Sequence, residues 1–369
     1  MQSVAIIGVG LIGGSLGLVW KKQAQDVEII GFDQSATLDR AIAIGALDRA
    51  ASSLEEAVSG ADVIVLATPI RSILEILEQI ALHVKAGAIV TDVGSVKGPV
   101  AACASAVLPS GVLFVGGHPM AGSERRGIDQ ADALLFENAA YVLCPPDHMD
   151  TSALEVECAS FVALIEATGA RLIVLPPARH DRIAAFVSHL PQLLAVALMN
   201  HVANQDGQDD AFLQLAAGGF RDMTRIASSP FDVWSDILKT NDTHILEVLD
   251  SFTGRIEVLR QELARGDMET LQSRFQDARS KRETIPRNTK GFLHPLADVY
   301  VYAEDRPGEL LSIARILYEA SLNIKDIELL KIREGTGGAF RMGFAEDATA
   351  AAATETLIRA GYTAWRLQH

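Results

Sequence analysis

The sequence predicts an α/β doubly wound sheet in its first half, then an all-helical domain and a small α+β domain. Seven short apolar runs alternate with helical patterns through the first 175 residues, as expected for strands buried on both faces of a sheet. The strand signal then stops, helical periodicity continues to about residue 287, and strands return near the end. A chain of 369 residues is long enough for two or three domains.

The strands of the first domain are predicted from continuous apolar stretches rich in β-branched residues. They are SVAIIGV, VEIIGFD, DVIVLAT, AIVTDV, LFVGGH, AAYVLCP and ARLIVLP. Pro176 and Pro177 follow the last stretch, and neither can continue a regular ladder of strand hydrogen bonds. The first domain is therefore predicted to span residues 1–176.

Helical patterning defines a second domain over residues 177–290. Its clearest segments are DRIAAFVSHLPQLLAVALMNHVA and DTHILEVLDSFTGRIEVLRQELARGD, whose apolar positions recur every three or four residues. The stretch from Leu193 to Met199 is apolar nearly all round, which indicates burial between subunits or at the centre of a bundle. We therefore expect helices that pack on one another and pair two chains.

A third domain is predicted over residues 296–369, after the polar stretch SKRETIPRNTKG. The order of its patterns is strand (DVYVYAE), helix (LLSIARILYEA), strand (IKDIELLKI), strand (AFRMGFA), helix (ATAAAATETLIRA) and strand (TAWRL). This β-α-β-β-α-β order is typical of the ferredoxin-like arrangement.

Charge and cysteine content exclude several classes of protein. Lys and Arg total 32 against 47 Asp and Glu, so attraction to a nucleic-acid backbone is unavailable. Cys103, Cys144 and Cys158 lack the spacing of metal ligands and indicate reduced thiols, with neither a disulfide framework nor a metal site. Residues 4–20 are apolar but lack a basic flank and a cleavage site, and their five glycines suit a turn. We expect a cytoplasmic protein without a membrane or nucleic-acid partner.

A dinucleotide site is predicted at the first strand-to-helix turn. The pattern G-x-G-x-x-G follows the strand VAII and comprises Gly8, Gly10, Leu11, Ile12 and Gly13 with Val9. Asp33 ends the second strand twenty residues after Gly13, where a carboxylate accepts hydrogen bonds from ribose hydroxyls and repels a 2′-phosphate. These features indicate a Rossmann-type domain that prefers NAD to NADP, the alternative being a packing turn and a helix cap.

Three later segments end strands at the same edge of the sheet, where ligands of such folds bind. Thr68 and Pro69, in LATPI, are predicted to line the nicotinamide side. His118, in GGHPMAGSE, is the candidate general base, because oxidation of an alcohol needs a group that takes the hydroxyl proton. Ser95, in TDVGSVKG, is expected to hold that imidazole in one tautomer. A purely structural histidine remains the alternative.

Taken together, these segments resemble the prephenate dehydrogenase family. GVGLIGGSLG, DVGSVKG, HPMAGSE, HD followed by SHLP, and GGFRDMTRIA occur in the order typical of that family. The resemblance implies that His118 engages the ring hydroxyl of prephenate, that Ser95 assists it, and that Arg225 binds the side-chain carboxylate. It also implies oxidative decarboxylation of prephenate to 4-hydroxyphenylpyruvate, a step of tyrosine biosynthesis, by a homodimer.

Further substrate contacts are expected at Ser123 in HPMAGSE and at His189 and Gln192 in SHLPQ. Gln192 stands where many members of the family have a histidine. This departure leaves open whether prephenate or its amino counterpart, arogenate, is preferred.

The last domain resembles an ACT domain, a module that binds free amino acids. The segment EDRPGELLSIARILYEASLNIKDIEL carries the resemblance, with Pro307 and Gly308 at a strand-to-helix turn and Asn323 at the start of the facing strand. We expect these three residues to bind an effector, tyrosine as the pathway product being the obvious one. The alternative is a domain that only pairs chains.

Three other functions were weighed against this interpretation. An arogenate or dual-specificity cyclohexadienyl dehydrogenase has the same site and differs only in substrate. A β-hydroxyacid or imine reductase shares the domain order but lacks HPMAGSE together with DMTRIA. A non-catalytic NAD-binding amino-acid sensor has no use for the combination of His118, Ser95 and Arg225.

Overall fold

The computed structural model describes residues 2–24, 26–121, 126–205, 211–284, 296–333 and 337–366. They fall into two compact units, Met1–Phe275 and Gln276–His369. The sheet and most of the helical region form the first unit, because Ile237 and Ile245 of the helical region lie in the same hydrophobic cluster as Ile7 and Leu66 of the sheet.

The first unit is built on an eight-stranded sheet. Its strands are β1 (Gln2–Ile7), β2 (Val27–Phe32), β3 (Arg49–Ala50), β4 (Val63–Leu66), β5 (Ile89–Asp92), β6 (Leu113–Pro119), β7 (Ala140–Cys144) and β8 (Arg171–Val174). Their order is β3-β2-β1-β4-β5-β6-β7-β8. The seven predicted strands are confirmed. The two-residue edge strand β3 was not predicted, because both its residues are exposed.

One feature of the sheet differs from a fully parallel one. β7 pairs antiparallel with β6 and parallel with β8, so the last two strands run opposite to the rest. A parallel neighbour needs a crossover connection, usually a helix. The described part of the β6–β7 connection holds only a short 3-10 turn, Ile128–Gln130, which suits an antiparallel return.

Helices cover both faces of the sheet, as expected for a doubly wound fold. They are α1 (Leu11–Gln23), α2 (Ser35–Ala43), α3 (Leu54–Val58), α4 (Ile70–Ile80), α5 (Gly98–Val107), α6 (Thr151–Glu157) and α7 (Ala159–Glu166). Alternate residues of β1 enter different clusters: Val4 and Ile6 pack with Trp20 on one face. Ala5 and Ile7 pack with the α4 side chains on the other. Burial on both faces explains the continuous apolar runs.

The helical region follows β8. Its helices are α8 (Pro177–Ala184), α9 (Leu190–Ala203), α10 (Ala211–Gln214), α11 (Gly218–Thr224), α12 (Phe231–Thr240), α13 (Asp242–Arg265) and α14 (Met268–Glu283). A π-helical turn, Ala185–His189, joins α8 to α9, and a 3-10 turn, Arg225–Ser228, follows α11. Wide π turns of this kind are frequent at functional sites.

The run from Pro177 to Ala203 is continuous, and its 27 residues are long and apolar enough to cross a membrane by length and composition alone. It also carries four buried polar side chains, which line the site described below: His180, Asp181, His189 and Gln192. In the stretch Leu193–Met199, Ala195 is buried and most other side chains are half-buried. A single chain therefore leaves this apolar stretch partly uncovered.

The second unit confirms the predicted β-α-β-β-α-β order. Its elements are β9 (Ala297–Ala303), α15 (Glu309–Glu319), β10 (Asp326–Arg333), β11 (Gly337–Phe344), α16 (Asp347–Arg359) and β12 (Ala364–Trp365). The strands form an antiparallel sheet in the order β10-β11-β9-β12. Both helices pack on one face of it, through Ile313, Leu317 and Leu357.

Candidate active site

The β1–α1 turn has the geometry of a dinucleotide-binding loop. Gly8 has φ +94°, and a Cβ there would lie 2.6 Å from the carbonyl oxygen of Ala67. A Cβ on Gly13 would lie 2.1 Å from the oxygen of Gly8, whereas the space beside Gly10 is open to 4 Å. α1 begins at Leu11 without a side-chain cap, so its first N–H groups are available to a pyrophosphate.

Asp33 and Thr68 flank this turn. One Asp33 oxygen accepts from the N–H of Val9 at 2.7 Å and the other from Gln34 at 2.6 Å, which fixes the carboxylate at the end of β2. The Thr68 hydroxyl is buried and has no hydrogen-bond partner, and its methyl group lies 2.7 Å from where a Cβ of Gly8 would be. Pro69 caps α4 directly after it. An open cradle, an anchored carboxylate and an unpartnered hydroxyl fit NAD.

His118 begins a directional chain of hydrogen bonds near the end of β6. Its Nδ1 lies 2.8 Å from Nε2 of His180, and the two rings meet edge to face. Nδ1 of His180 lies 2.7 Å from Oδ1 of Asp181. The Asp181 oxygens also accept from the N–H groups of Lys97 and Gly98, each at 2.7 Å. The helical region thereby holds the histidine of the sheet.

A fully buried ion pair supports the strand end that carries His118. Asp92 and Lys97 are both 0% exposed and bond to each other. Lys97 Nζ donates to the carbonyl of Gly117 at 2.7 Å, and Asp92 accepts from the N–H of Gly117 at 3.2 Å and of Gly94 at 2.8 Å. Both backbone groups of Gly117 are thus fixed, directly before His118.

Asn241 ties the helical region together on the other side of Asp181. Its amide donates to the carbonyl oxygen of Asp181 at 2.9 Å and lies 3.2 Å from Nδ1 of His189. An amide nitrogen only donates, so Nδ1 of His189 accepts and its Nε2 carries the hydrogen. Trp234 packs edge to face on His189 with the ring centres 6.0 Å apart. His189 is therefore held as a neutral hydrogen-bond donor.

The environment keeps these imidazoles neutral. Burial and the nearby His180 and Lys97 hold the pKa of His118 well below its usual value of 6.5. Burial likewise lowers the pKa of His189 to about 4, although Asp181 opposes the shift. A neutral imidazole has one nitrogen lone pair, and no described residue hydrogen-bonds Nε2 of His118. Within the described part of the chain, His118 therefore presents a basic nitrogen without a hydrogen-bond partner at physiological pH.

The remaining predicted site residues are placed as follows. Ser95 is half-buried and makes no hydrogen bond to His118, whose Nδ1 is instead bound by His180. Gln192 donates to the carbonyl of Ile226 at 2.9 Å and so fixes the turn that carries the exposed Arg225. Ser123 lies outside the described residues. The roles of these side chains toward a substrate stay predictions.

The three predicted effector residues are not brought together within one chain. Gly308, after Pro307, caps α15 and lines a concavity of about 610 Å³ with Arg306 and Phe340. Asn323 lines a different concavity of about 410 Å³, beyond the other end of α15. It lies in the loop before β10 rather than in the strand, which corrects its predicted place.

Sequence reasoning missed Asp92, Lys97 and Asn241 and undervalued His180. Asp92 and Lys97 stand inside DVGSVKG, but charged residues are almost never fully buried unless they are paired, and no pattern revealed the pairing. His180 and Asp181 were visible as the pair HD at the start of a helix. Their separation from His118 by 62 residues or more hid the contact.

Comparison with known proteins agrees with this geometry. Family models described as the nucleotide-binding domain and the dimerization domain of prephenate dehydrogenase match residues 16–174 and 176–277. The prephenate dehydrogenase of Bacillus subtilis is 36% identical over 348 residues, which cover 94% of this chain and 93% of that protein.

Solved structures are similar over the first three quarters of the chain. The prephenate dehydrogenase of A. aeolicus, in complex with hydroxyphenyl propionate and NAD+, matches with a TM-score of 0.70 at 29% identity, covering 77% of this chain and 98% of that one. Arogenate dehydrogenase of Synechocystis matches with a TM-score of 0.68 at 31% identity, covering 76% and 99%. With the two family models and the 36% identity to a relative matched over nearly its whole length, the chain belongs to the prephenate dehydrogenase family.

Proposed function

We propose that this protein is an NAD-dependent prephenate dehydrogenase, which converts prephenate to 4-hydroxyphenylpyruvate and CO2. The observation that carries the proposal is the open Nε2 of His118 at the carboxyl edge of a sheet whose first turn fits NAD. The glycine turn and Asp33 would hold NAD, which would supply the acceptor for the hydride of the carbinol carbon. The chain's own residues bind and orient the substrate and move the hydroxyl proton.

His118 accepts the proton of the ring hydroxyl as the carbinol carbon is oxidised. His118 can act as this base in its neutral form because one ring nitrogen has a lone pair, and burial holds the pKa of the ring low enough to keep it neutral. The ring carboxylate leaves as CO2, its bonding electron pair enters the ring, which becomes aromatic, and the proton held by His118 returns to the ring oxygen of the product. Aromatisation supplies much of the driving force, so the protein needs orientation and one well-placed base rather than a strong one.

Arg225 is the proposed anchor for a substrate carboxylate. It lies on the turn that Gln192 fixes from α9, and a guanidinium binds a carboxylate through two parallel hydrogen bonds. We expect Arg225→Ala to raise KM for prephenate by roughly 10- to 150-fold, the equivalent of about 1.5–3 kcal/mol, and Arg225→Lys to restore only part of the affinity. Arg221→Ala, on the exposed side of α11, is the matched control. An unchanged KM in Arg225→Ala would move the anchor elsewhere.

The activity is tested by following reduced cofactor with prephenate and with arogenate, each with NAD and with NADP. We expect turnover of prephenate with NAD to exceed the other three combinations. Faster turnover of arogenate would show that the second substrate is the physiological one, a result that the similarity to the Synechocystis enzyme makes worth measuring. No turnover of either substrate by folded, NAD-binding protein would contradict the proposal.

A homodimer is proposed from the helical region. The apolar stretch Leu193–Met199 is only half-buried in one chain, and the matching family model for residues 176–277 describes a dimerization domain. We expect sedimentation equilibrium to give twice the chain mass of 39.5 kDa. Leu194→Glu should lower the dimer affinity, whereas Leu82→Glu, at an exposed position 90% accessible, should not.

The C-terminal unit is proposed to be an ACT-type sensor of tyrosine. The A. aeolicus structure is matched over 98% of its length by 77% of this chain, and the two matching family models end at residue 277, before this unit. In this chain that quarter contains a concavity of about 610 Å³ beside Gly308. A second chain would have to bring Asn323 to the same ligand, because one chain holds it at the far end of α15.

Measuring inhibition by tyrosine in variants distinguishes a sensor in the C-terminal unit from competition between tyrosine and substrate at the active site. We expect Gly308→Val, beside the concavity, to weaken inhibition, while Gly361→Val, which has a similar positive φ in the same unit, preserves it. A chain ending near Asn288 should keep dehydrogenase activity and lose inhibition. Because coupling energies are typically about 1–3 kcal/mol, tyrosine should weaken prephenate binding by roughly 5- to 150-fold in the full chain. Undiminished inhibition in the Gly308 variant and the shortened chain would exclude the unit as the sensor.

A further inference from the structure

We propose that His180, oriented by Asp181, is a positioning residue that sets the tautomer of His118 and thereby leaves Nε2 of His118 free to act as the base. The chemical role of that base rests on the proposed function, but the tautomer itself does not. The inference follows the hydrogen bonds that run from the backbone of α5 through Asp181 and His180 to His118.

Asp181 fixes the hydrogen of His180. Each oxygen of its carboxylate already accepts a backbone N–H, from Lys97 and from Gly98, both at 2.7 Å. Its third contact, at 2.7 Å, is Nδ1 of His180. An ionised carboxylate only accepts hydrogen bonds, so Nδ1 of His180 must donate. The start of α5 thus orients Asp181, and Asp181 orients the imidazole.

His180 in turn fixes the hydrogen of His118. A neutral imidazole that donates through Nδ1 has only a lone pair at Nε2. Nε2 of His180 lies 2.8 Å from Nδ1 of His118, a distance that needs one hydrogen between the two nitrogens. In the proposed arrangement His180 is neutral, so that hydrogen belongs to His118 Nδ1 and the lone pair of His118 is on Nε2. The opposite tautomer of His118 would place two lone pairs against each other.

Charged and titratable groups from the sheet, from α5 and from the helical region surround His118. The sheet and α5 contribute the paired Asp92 and Lys97, and the helical region contributes Asp181, His180 and the neutral His189. One ammonium and two carboxylates give this group a net negative charge. Burial and the nearby Lys97 disfavour the charged ring, so His118 holds the proton only transiently while its Nδ1 keeps the bond to His180.

The tautomer can be measured on the full chain without substrate or cofactor. Histidines labelled with ¹⁵N report by NMR which ring nitrogen carries the hydrogen, and His118→Asn assigns the signals. We expect His118 and His180 both to be protonated at Nδ1. In His180→Leu the His118 signals should move toward the Nε2-protonated form, whereas in His180→Gln the amide oxygen still accepts and Nδ1 stays protonated. His201→Leu, at an exposed histidine of α9, should change neither.

Kinetics give the second readout. We expect kcat with prephenate to fall at least about 10-fold in His180→Leu, less than the roughly 10²- to 10⁴-fold expected when the base itself is removed, with KM little changed. His180→Gln should recover most of the loss. Protonation of His118 at Nε2 in the wild-type chain, or an unchanged tautomer in a folded His180→Leu, would overturn the inference. Absence of turnover with the expected tautomers would instead count against the proposed function alone.

Discussion

Two clusters of charged side chains, one in each unit, differ in where their hydrogen bonds end. In the C-terminal unit Arg341 donates to Asp298, Asp326 and Glu328 at 2.9, 2.6 and 2.9 Å, so each guanidinium nitrogen binds a carboxylate and the group joins three strands. In the first unit the chain from Asp181 through His180 ends on His118, whose Nε2 has no hydrogen-bond partner among the described residues. One cluster is closed and the other has an open end.

The difference shows that buried charge alone does not identify an active site. Arg341 is 13% exposed and its pKa is raised further by the carboxylates around it, so it stays charged at every pH of interest. The His118 cluster is more deeply buried, contains three imidazoles, and belongs to the unit with the dinucleotide loop. The feature that predicts a catalytic role is a titratable group with an atom that lacks a hydrogen-bond partner, in the unit that carries the cofactor site.

The largest difference in stability should come from removing one cation at each cluster. These are Lys97, which bonds to Gly117 directly before His118, and Arg341 in the C-terminal unit. Lys97→Met leaves Asp92 fully buried and unpaired, which should lower the free energy of unfolding by about 3–5 kcal/mol. Arg341→Met leaves three partly exposed carboxylates that water can solvate, so we expect a smaller loss of about 1–3 kcal/mol and an unchanged kcat. Chemical denaturation and steady-state rates measure both.

Lys21→Met is the control, because Lys21 and Asp48 are about one-third exposed and such pairs contribute little. Replacing both members of the buried pair, as Asp92→Leu with Lys97→Met, should recover part of the stability but not the position of Gly117. Equal losses in the free energy of unfolding for Lys97→Met and Lys21→Met would show that Asp92 and Lys97 do not form a buried ion pair.

The second contrast is in pH dependence. The pKa of His189 is about 4 in the folded chain and about 6.5 when unfolded, so below pH 6.5 the unfolded chain binds a proton that the folded chain does not. Stability should therefore fall as pH decreases, by up to about 1.4 kcal/mol per pH unit for this group and by roughly 2 kcal/mol between pH 6.5 and 5.

Denaturation of His189→Gln and Arg341→Met at four pH values between 6.5 and 5 tests the source of this slope. His189→Gln should reduce the slope and leave the part that His118 contributes, and Arg341→Met should retain the wild-type slope because Arg341 does not titrate there. A slope that is unaltered in His189→Gln would mean that the imidazole is not held neutral by the fold.

The smallest effect concerns the carboxylate beside the glycine turn. Asp33 should favour NAD over NADP at least about tenfold, or about 1.4 kcal/mol, because it repels a 2′-phosphate. Asp33→Asn should narrow that ratio, while Asp39→Asn on the exposed face of α2 should not. The ratio of kcat/KM for the two cofactors measures it, and equal use of both by the wild-type chain would refute the assignment.

Local patterns were enough to predict most of the fold. Strands buried on both faces are continuous apolar runs, so β1, β2 and β4 to β8 were visible, as was the β-α-β-β-α-β order of the second unit. The direction of β7 was not visible, because an apolar run reads the same in a parallel and an antiparallel pair. The glycine turn and Asp33 were found because their spacing is fixed by one strand and one helix.

The support of His118 was beyond reach for a physical reason. His180 is 62 residues away and Asn241 lies 60 residues beyond Asp181, so tertiary packing alone brings them together. Ser95 was expected to hold the ring because it and His118 follow strands that end at the same edge of the sheet. In the structure, Nδ1 of His118 instead contacts His180. Lys97 was given no role from the sequence and is fully buried.

The central claim is that His118 is the base of an NAD-dependent oxidation of prephenate, and His118→Asn tests it most directly. The measurement is kcat with saturating NAD and prephenate, made on protein whose dissociation constant for NAD is determined in parallel. The account predicts a fall in kcat of roughly 10²- to 10⁴-fold with NAD binding nearly unchanged, because removal of a general base acts on the transition state. Turnover within about threefold of the wild type would contradict it.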